Sequence, residues 1–360
     1  MADFSGYSIN DTAFHVAVAQ QMIADIAQRD IYQDGLGIIQ ITAEDFGAAA
    51  VRIPKIKRAT GEFRELGNAT NGAYTNSTSA SIKGLDEEIV NLKNLYDEME
   101  DVPNVQNILS LANASSVSRR VQEIAKAITR GRNAGTMAHQ IAAVINDAVT
   151  AESGTGLLYT YTAATEGDAL AKLRAANASL DNGDGSYHDT FPIEGRVSVC
   201  RPTYLPDLLE NGNIIVGGSN FAQEIVSSGA VSPEIGIGDL PENVYGYRGM
   251  VLGVPVMIAT DPLWTAAESW LGLSAGALDD FQAILASHIA TGRGQAFPEQ
   301  IKIIDSPNVN GLRIQPLSNF GVEVLFSKGI KLITDAAVTF TADSGDFHDA
   351  LTPLAPGSKS

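Results

Sequence analysis

The residues of this chain that could perform chemistry are few and widely separated. The single cysteine, Cys200, ends an apolar run, which predicts a buried and chemically inert thiol. The five histidines stand far apart, and none has His, Cys, Asp or Glu neighbours at the spacing of a metal site. We therefore predict no catalytic residue, no metal site and no cofactor. The histidines are His15, His139, His188, His288 and His348.

Motifs that hold phosphate groups or activated nucleophiles do not occur in the sequence. It contains neither a GxxxxGK[ST] phosphate loop nor a GxSxG nucleophile elbow. Gly236 and Gly238 precede Leu240-Pro241 instead of a helix start, which excludes a dinucleotide fingerprint. The turn that begins at Asp181 lacks the ligand spacing of a calcium loop. We predict a protein that is not an enzyme, and an enzyme with an unrecognised site is an alternative.

Composition indicates an ordered, acidic, globular protein. The chain has 360 residues, of which 44% are hydrophobic and 18% charged, enough for two or three packed subdomains. Its net charge of -18 repels nucleic acid over most of the surface, so any contact with DNA must be local. The first residues have no signal-peptide pattern, and no apolar run reaches the roughly 18 residues of a membrane span. We predict synthesis in the cytoplasm and no membrane partner.

The strongest helical pattern covers residues 115–150. Apolar residues from Val117 to Ile128 recur every three or four positions and so share one face. Gly131 and Gly135 lie between the two halves and predict a bend or interruption. The exposed part of the first half is expected to be basic. Its charged residues are Arg119, Arg120, Lys126, Arg130 and Arg132.

An acidic segment precedes this helix. Leucines and isoleucines within residues 85–101 keep helical spacing, which predicts a short acidic amphipathic helix. Its carboxylates, Asp97 and Glu98 among them, either pair with the basic helix or face solvent. Pairing within a subunit and pairing between subunits are both open.

Residues 46–84 have a different character. A strand-like run near Val51 is expected to be broken by Pro54, and residues 67–81 are mostly Asn, Thr, Ser, Gly and Ala. This pattern predicts a long β-hairpin or extended loop with too few apolar residues to bury a core of its own. Such a loop either extends into solvent or lies on another molecule.

The remaining elements follow from shorter patterns. Apolar spacing separates helices from strands, and Gly, Pro and Asn mark the turns between them. The predicted elements are a helix at 14–26, an apolar stretch at 36–41, a helix at 168–180, a buried strand at 195–200, a helical turn at 204–209, one strand at 249–258, helical pieces within 264–291 and closing strands within 320–341.

Two ordered stretches resemble the major capsid proteins of tailed bacteriophages. The first is a helix at 170–181 that ends in Leu-Asp, followed by Glu194-Gly195-Arg196, a strand, Arg201-Pro202-Thr203-Tyr204 and Leu208-Leu209. The second is the run Gly249-Met-Val-Leu-Gly-Val-Pro-Val256 with a loop that reaches Asp261-Pro262. No single motif is decisive, and the resemblance is carried by their order and spacing.

The resemblance implies an α+β fold, the HK97-like capsid fold. That fold has an N-terminal arm, an extended β-hairpin called the E-loop, a peripheral P-domain with a long spine helix, and a central A-domain. The implied boundaries are 1–45 for the arm, 46–84 for the E-loop, 85–164 for the P-domain with its spine helix at 115–150, 165–320 for mainly A-domain with P-domain strand segments, 321–342 for closing P-domain strands and 343–360 for a C-terminal tail.

The resemblance further implies a structural protein that assembles with itself. Hexamers and pentamers would form the icosahedral head around phage double-stranded DNA, which is packaged without specific binding. The implied partners are other copies, a portal protein and a decoration protein. The arm begins near Met1, so a separate scaffolding protein is expected in place of a cleaved leading domain. The expected location is the virion capsid, assembled in the host cell cytoplasm.

Contacts between subunits are expected at the loop and at the charged helices. The loop tip at 67–81 contains no lysine, so a covalent crosslink there is not expected. An encapsulin-like nanocompartment shell is the alternative within the same fold. The candidate contact residues are Arg58, Glu62, Arg64, Tyr74, Asp97, Glu98, Arg119, Arg120, Arg130 and Arg132.

Overall fold

The protein is described by a computed structural model of a mixed helix and sheet fold. The described residues are 31–43, 49–56, 85–96, 100–103, 114–150, 156–165, 167–184, 187–209, 247–297, 300–305 and 311–336. The helices are α1 (Ala114–Thr150), α2 (Asp168–Asp181), α3 (Tyr204–Leu209) and α4 (Asp261–Leu271). The strands are β1 (Ile39–Thr42), β2 (Ala50–Ile56), β3 (Leu85–Asn91), β4 (Lys93–Tyr96), β5 (Glu100–Pro103), β6 (Leu158–Thr160), β7 (Arg196–Cys200), β8 (Tyr247–Val251), β9 (Val254–Ile258), β10 (Phe281–Ser287), β11 (Thr291–Gln295), β12 (Gln300–Asp305), β13 (Gly311–Val324) and β14 (Ile330–Thr334).

The strands of the described ranges form two larger sheets and a ribbon. The first sheet has the order β1-β11-β13-β12, and β4 and β5 also pair with β13. The second has the order β6-β14-β10-β7-β9-β8. β2 and β3 form a two-stranded antiparallel ribbon. Within the same ranges, no helix is both long enough and apolar enough to cross a membrane.

Helix α1 confirms the predicted long helix, but the interruption predicted at Gly131 and Gly135 is not present. It has 37 residues and continues through Gly131 and Gly135. Gly135 is used for close packing, because a Cβ atom there would stand 3.3 Å from the Trp270 ring of α4. Met137 and Ile141 are fully buried in the core that α1 shares with α4 and the second sheet.

Buried polar side chains connect α1 to the first sheet. Arg293 of β11 donates from Nε to Oγ1 of Thr136 over 2.8 Å. Gln140 donates from Nε2 to Oγ1 of Thr291 over 3.0 Å. Buried hydrogen bonds of this kind fix the rotation of a helix, because a different rotation would leave the groups unpaired.

The second sheet separates two cores. Its α1 side carries residues such as Ile284 and Leu332, and its α2 side carries Leu285 and Ile333. Adjacent strand residues point to opposite faces, so the continuous apolar runs of β10 and β14 supply both cores. Helix α2 covers the second face with Leu173.

Several predicted elements agree with the structure. The helix at 168–180, the strand at 195–200 and the helical turn at 204–209 correspond to α2, β7 and α3. The closing strands are present as β13 and β14 up to Thr334. The predicted helix at 14–26, the loop at 67–81 and the last closing strand at 337–340 lie outside the described residues.

The predicted acidic helix at 85–101 is wrong. Its described residues form β3, β4 and β5. Acidic side chains of β3 meet basic side chains of β2, and Arg52 Nη1 stands 2.9 Å from Glu87 Oε2. Cross-strand pairing stabilises the extended form more than the leucine spacing stabilises a helix.

Three further expectations need correction. Strand β2 continues through Pro54, because half of the N–H groups in a ribbon point away from the partner strand. The predicted single strand at 249–258 is a hairpin of β8 and β9, turned at Leu252 and Gly253, whose φ values are 55° and 78°. The predicted helical pieces within 264–291 are α4 as far as Leu271 and a 3-10 turn at His288–Ala290, but the buried strand β10 lies between them and was not predicted.

Candidate assembly surfaces

The ribbon of β2 and β3 has one buried face and one exposed face. Val51, Ile53 and Val90 point inward and are 7%, 3% and 0% exposed. Arg52 and Ile89 are direct cross-strand neighbours on the outer face, where Ile89 is 50% exposed. Ile89 is a single exposed apolar side chain among charged neighbours, so its exposure alone does not mark a contact surface.

Glycines in β11 and β13 make room for the inner face. A Cβ atom on Gly292 would clash with Cδ1 of Ile53, and one on Gly321 would clash with the carbonyl oxygen of Asn91. On Gly294 it would lie 3.0 Å from Cδ2 of Leu92. Because side chains are absent there, the ribbon packs directly against the backbone of the first sheet. We call Gly292, Gly294 and Gly321 the glycine seat.

One end of the ribbon is held by a charged and aromatic cluster. Lys55 Nζ lies 2.9 Å from Glu88 Oε2, 5.4 Å from the centre of the Tyr187 ring and 5.1 Å from that of Phe326. Tyr187 donates its hydroxyl hydrogen to Oδ2 of Asp86 over 2.6 Å. This hydrogen bond, together with desolvation, raises the pKa of Tyr187 to about 12. The ribbon is thereby attached to the loop that follows α2.

A carboxyl group of the first sheet completes this cluster. Glu323 is the cross-strand partner of Gly292, so its side chain leaves the sheet on the side of the glycine seat. Burial raises its pKa to about 7, and the charge of Glu88 adds to the shift while Lys55 opposes it. The charge of Lys55 thus acts on two carboxyl groups: it pairs with Glu88 and lowers the pKa of Glu323.

The predicted contact residues fall into three groups. Arg130 is exposed on α1, and Arg119 and Arg120 lie on the same helix. Arg132 departs from the expected exposure: it is 5% exposed, and its guanidinium carbon lies 5.9 Å from the centre of the Phe320 ring. The others lie outside the described residues: Arg58, Glu62, Arg64, Tyr74, Asp97 and Glu98.

Sequence reasoning missed the glycine seat and the cluster at the ribbon. The alternation Thr291-Gly-Arg-Gly-Gln295 was available as a pattern, since glycine at every second strand position indicates that another backbone approaches closely. Lys55, Glu88 and Glu323 carry no comparable pattern, because they come from three distant parts of the chain.

Two of the groups considered for chemistry can be checked in the described residues. No group of three His, Cys, Asp or Glu side chains in these ranges could hold a metal ion. Cys200 is fully buried, and its Sγ donates to the carbonyl oxygen of Met257 over 3.6 Å. Desolvation by burial raises the pKa of its thiol to about 12.

We expect the Cys200 thiol to react only when the protein unfolds. Since the thiolate is the reactive form, a pKa near 12 leaves about 0.001% ionised at pH 7. Labelling with a chromogenic disulfide reagent should be negligible in buffer and complete in 6 M guanidinium chloride, with one thiol per chain. Rapid labelling of the folded chain would contradict the burial of this strand.

Comparisons with known proteins give structural matches only. No family model matches the sequence, and no curated protein matches it. The capsid structure of Ralstonia phage GP4 has a TM-score of 0.55 at 12% identity and covers 88% of this chain and 92% of that chain. The mature capsid of bacteriophage PhiM1 has a TM-score of 0.52 at 12% identity, with coverage of 85% and 87%.

The chain has the fold of a phage major capsid protein. A structure from Microbacterium phage Oxtober96 matches as well, with a TM-score of 0.50 and 11% identity over 84% of this chain and 90% of that chain. Identities this low show a shared capsid fold and do not carry over individual residues. The suspected resemblance to phage capsid proteins is confirmed at the level of the fold.

Proposed function

We propose that the chain is the major capsid protein of a tailed bacteriophage and that many copies form a closed shell around double-stranded DNA. The observation that carries the proposal is the match to the capsid of Ralstonia phage GP4, which extends over 88% of this chain and 92% of the other. The proposed role is structural and not enzymatic.

The domain layout of the HK97-like fold can be placed on the described elements. We assign α1 as the spine helix of the P-domain, and the ribbon of β2 and β3 as the base of the E-loop. Strands β7, β8, β9 and β10 of the second sheet, with α2 and α3, contribute to the A-domain, and β13 and β14 close the P-domain. The arm at 1–45 and the loop that leaves the ribbon at 57–84 would reach neighbouring copies.

The chemistry of the surface agrees with a shell of identical copies. Each copy in a closed shell repeats the same contacts, so modest contacts accumulate into a stable product. The net charge of -18 keeps packaged DNA from adhering to the wall. Hexamers and pentamers, a portal protein, a separate scaffolding protein and a decoration protein are the proposed partners. The proposed site of assembly is the host cell cytoplasm.

Electron microscopy of particles from infected or expressing cells tests this function. We expect shells with bound scaffold as precursors and DNA-filled heads with a portal at one vertex after packaging. Shells that enclose protein cargo and no DNA would instead support an encapsulin-like nanocompartment. A monomer or dimer that forms no shell even with a scaffolding protein would support a soluble enzyme.

We expect reversal of charge on α1 to block assembly. The sequence predicts that Arg119 and Arg120 pair with the acidic segment that contains Asp97 and Glu98, and we propose that this pairing joins neighbouring copies. The variant Arg119→Glu/Arg120→Glu would then oppose like charges, weaken each contact by several-fold and lower shell yield by at least about tenfold. Shell yield is measured by sedimentation. Adding Asp97→Lys/Glu98→Lys should restore assembly if the two groups pair between subunits.

A matched control separates this contact from a general effect of charge. Lys172→Glu/Arg174→Glu makes the same change in net charge on α2 and should leave shell yield unchanged. An equal loss of yield in both variants would contradict the proposed contact. Normal assembly of the α1 variant would contradict it as well.

A further inference from the structure

The ribbon of β2 and β3 is a separate layer whose attachment can be followed residue by residue. Its inner face contributes Ile53 and Val90 to a small core with Leu325. Val51 of the ribbon and Leu92 at its end pack against Gly294 of the glycine seat, and the backbone of Asn91 packs against Gly321. An isolated two-stranded ribbon is marginally stable in water. The ribbon is therefore ordered only while it is docked.

The charged groups between ribbon and sheet do not balance. Lys55 lies 2.9 Å from Glu88, and Glu323 leaves the first sheet on the side that the ribbon covers, where the charges of both residues act on it. With both carboxyl groups ionised, the docked cluster holds two negative charges and one positive charge in a partly buried site. Protonation of one carboxyl group would leave a neutral set.

Other charged and titratable groups surround the cluster in the described part of the chain. Asp86 accepts the hydrogen bond from Tyr187, and Lys328 donates from Nζ to the carbonyl oxygen of Asp184 over 3.3 Å. The His188 ring stacks edge-on against Phe326, 4.6 Å from its centre. The groups around the cluster are thus Asp86, Asp184, Tyr187, His188 and Lys328, in addition to Lys55, Glu88 and Glu323.

We propose that Lys55, Glu88 and Glu323 form a proton-dependent latch that holds the ribbon on the first sheet when Glu323 is protonated and loosens it when Glu323 is ionised. The latch is a property of the single chain and does not depend on the proposed role in a shell. It acts on the two strands that border residues 57–84.

The sign of the pH effect follows from proton linkage. Burial first, and the charge of Glu88 second, raise the pKa of Glu323 from 4.5 to about 7 in the docked state. The docked state then binds more protons than the undocked state between these two values, so docking weakens as the pH rises from 4.5 to about 7. Above that range both states are ionised, and the dependence on this group ends.

Hydrogen exchange of the full-length chain tests the latch. Protection factors of the β2 and β3 amides, corrected for the intrinsic pH dependence of exchange, should fall by up to about tenfold per pH unit between pH 5 and pH 7. Glu323→Gln mimics the protonated carboxyl group and should keep these amides protected at all pH values. Amides of α2 exchange when the whole chain unfolds, so their protection factors should change neither with pH nor in Glu323→Gln.

Two further variants keep the test decisive. Glu87→Gln removes an exposed carboxyl group of the same ribbon, paired with Arg52 on the outer face, and should retain the full pH dependence. Lys55→Met removes the cation that lowers the pKa of Glu323, so the loss of protection should extend to higher pH. The same pH dependence in Glu323→Gln as in the unmodified chain, or its loss in Glu87→Gln, would overturn the proposal.

Discussion

Replacing Gly321 with alanine should destabilise the protein by about 2–3 kcal/mol, because one methyl group would occupy the space of a neighbouring backbone. The added Cβ atom would clash with the carbonyl oxygen of Asn91 and would lie 3.0 Å from Cγ1 of Val90. Backbone at the end of the ribbon cannot rotate away as a flexible side chain can. The ribbon must lift or the first sheet must bend.

The measurement is the midpoint of urea unfolding followed by circular dichroism, combined with exchange of the ribbon amides. Gly321→Ala should lower the midpoint and expose β2 and β3 first. Gly131→Ala is the matched control, since a Cβ atom there meets nothing within 4 Å and alanine favours a helix interior by about 0.5–1 kcal/mol. An unchanged or raised midpoint for Gly321→Ala, as is expected for Gly131→Ala, would show that the glycine seat is not a close contact.

Replacing Arg196 with methionine should cost about 2–4 kcal/mol, because several buried acceptors would lose their donor at once. The guanidinium is 1% exposed and donates to the carbonyl oxygens of Phe191 and Asn177, the latter over 3.0 Å. It also donates to Oδ1 of Asp181 over 2.6 Å. These bonds attach the C-terminal end of α2 to the start of β7.

Calorimetry of the assembled and unassembled protein measures this effect as a lower melting temperature. Arg196→Lys should recover only part of the lost stability. A single ammonium group cannot donate to Phe191, Asn177 and Asp181 at the same time, as the planar guanidinium does. The control is Arg52→Met, whose ion pair with Glu87 is exposed on both sides and should change stability by less than about 1 kcal/mol. Similar losses for Arg196→Met and Arg52→Met would contradict the structural role of Arg196.

The elements that sequence predicted correctly are those whose burial has a local period. Apolar residues of α1 recur with the helical repeat, and β7 is an apolar run bounded by turns, so neighbours in sequence carry the information. The prediction for β3 failed because its leucine and isoleucine spacing suits a helix, whereas its side chains in fact pair with those of β2. A cross-strand partner 35 positions away, as Glu87 is from Arg52, leaves no trace in a local window.

The candidate site was less predictable than the fold. Order and spacing of motifs between 170 and 262 were enough to indicate a phage capsid fold, which the structural matches confirm. The latch depends on three charges that meet only after the first sheet and the ribbon have formed. The burial of Arg132 was not predictable either. Its charge predicted an exposed side chain, but it packs against Phe320, which lies far along the chain.

The pairing of distant strands also determines when a newly made chain can complete its sheets. Ile39 of β1 pairs with Gly292 of β11, Tyr96 of β4 with Leu317 of β13, and Leu158 of β6 with Leu332 of β14. Both larger sheets therefore form only after β11, β13 and β14 have been made. A chain that lacks these strands cannot close either sheet, and it also lacks every surface that depends on a closed sheet.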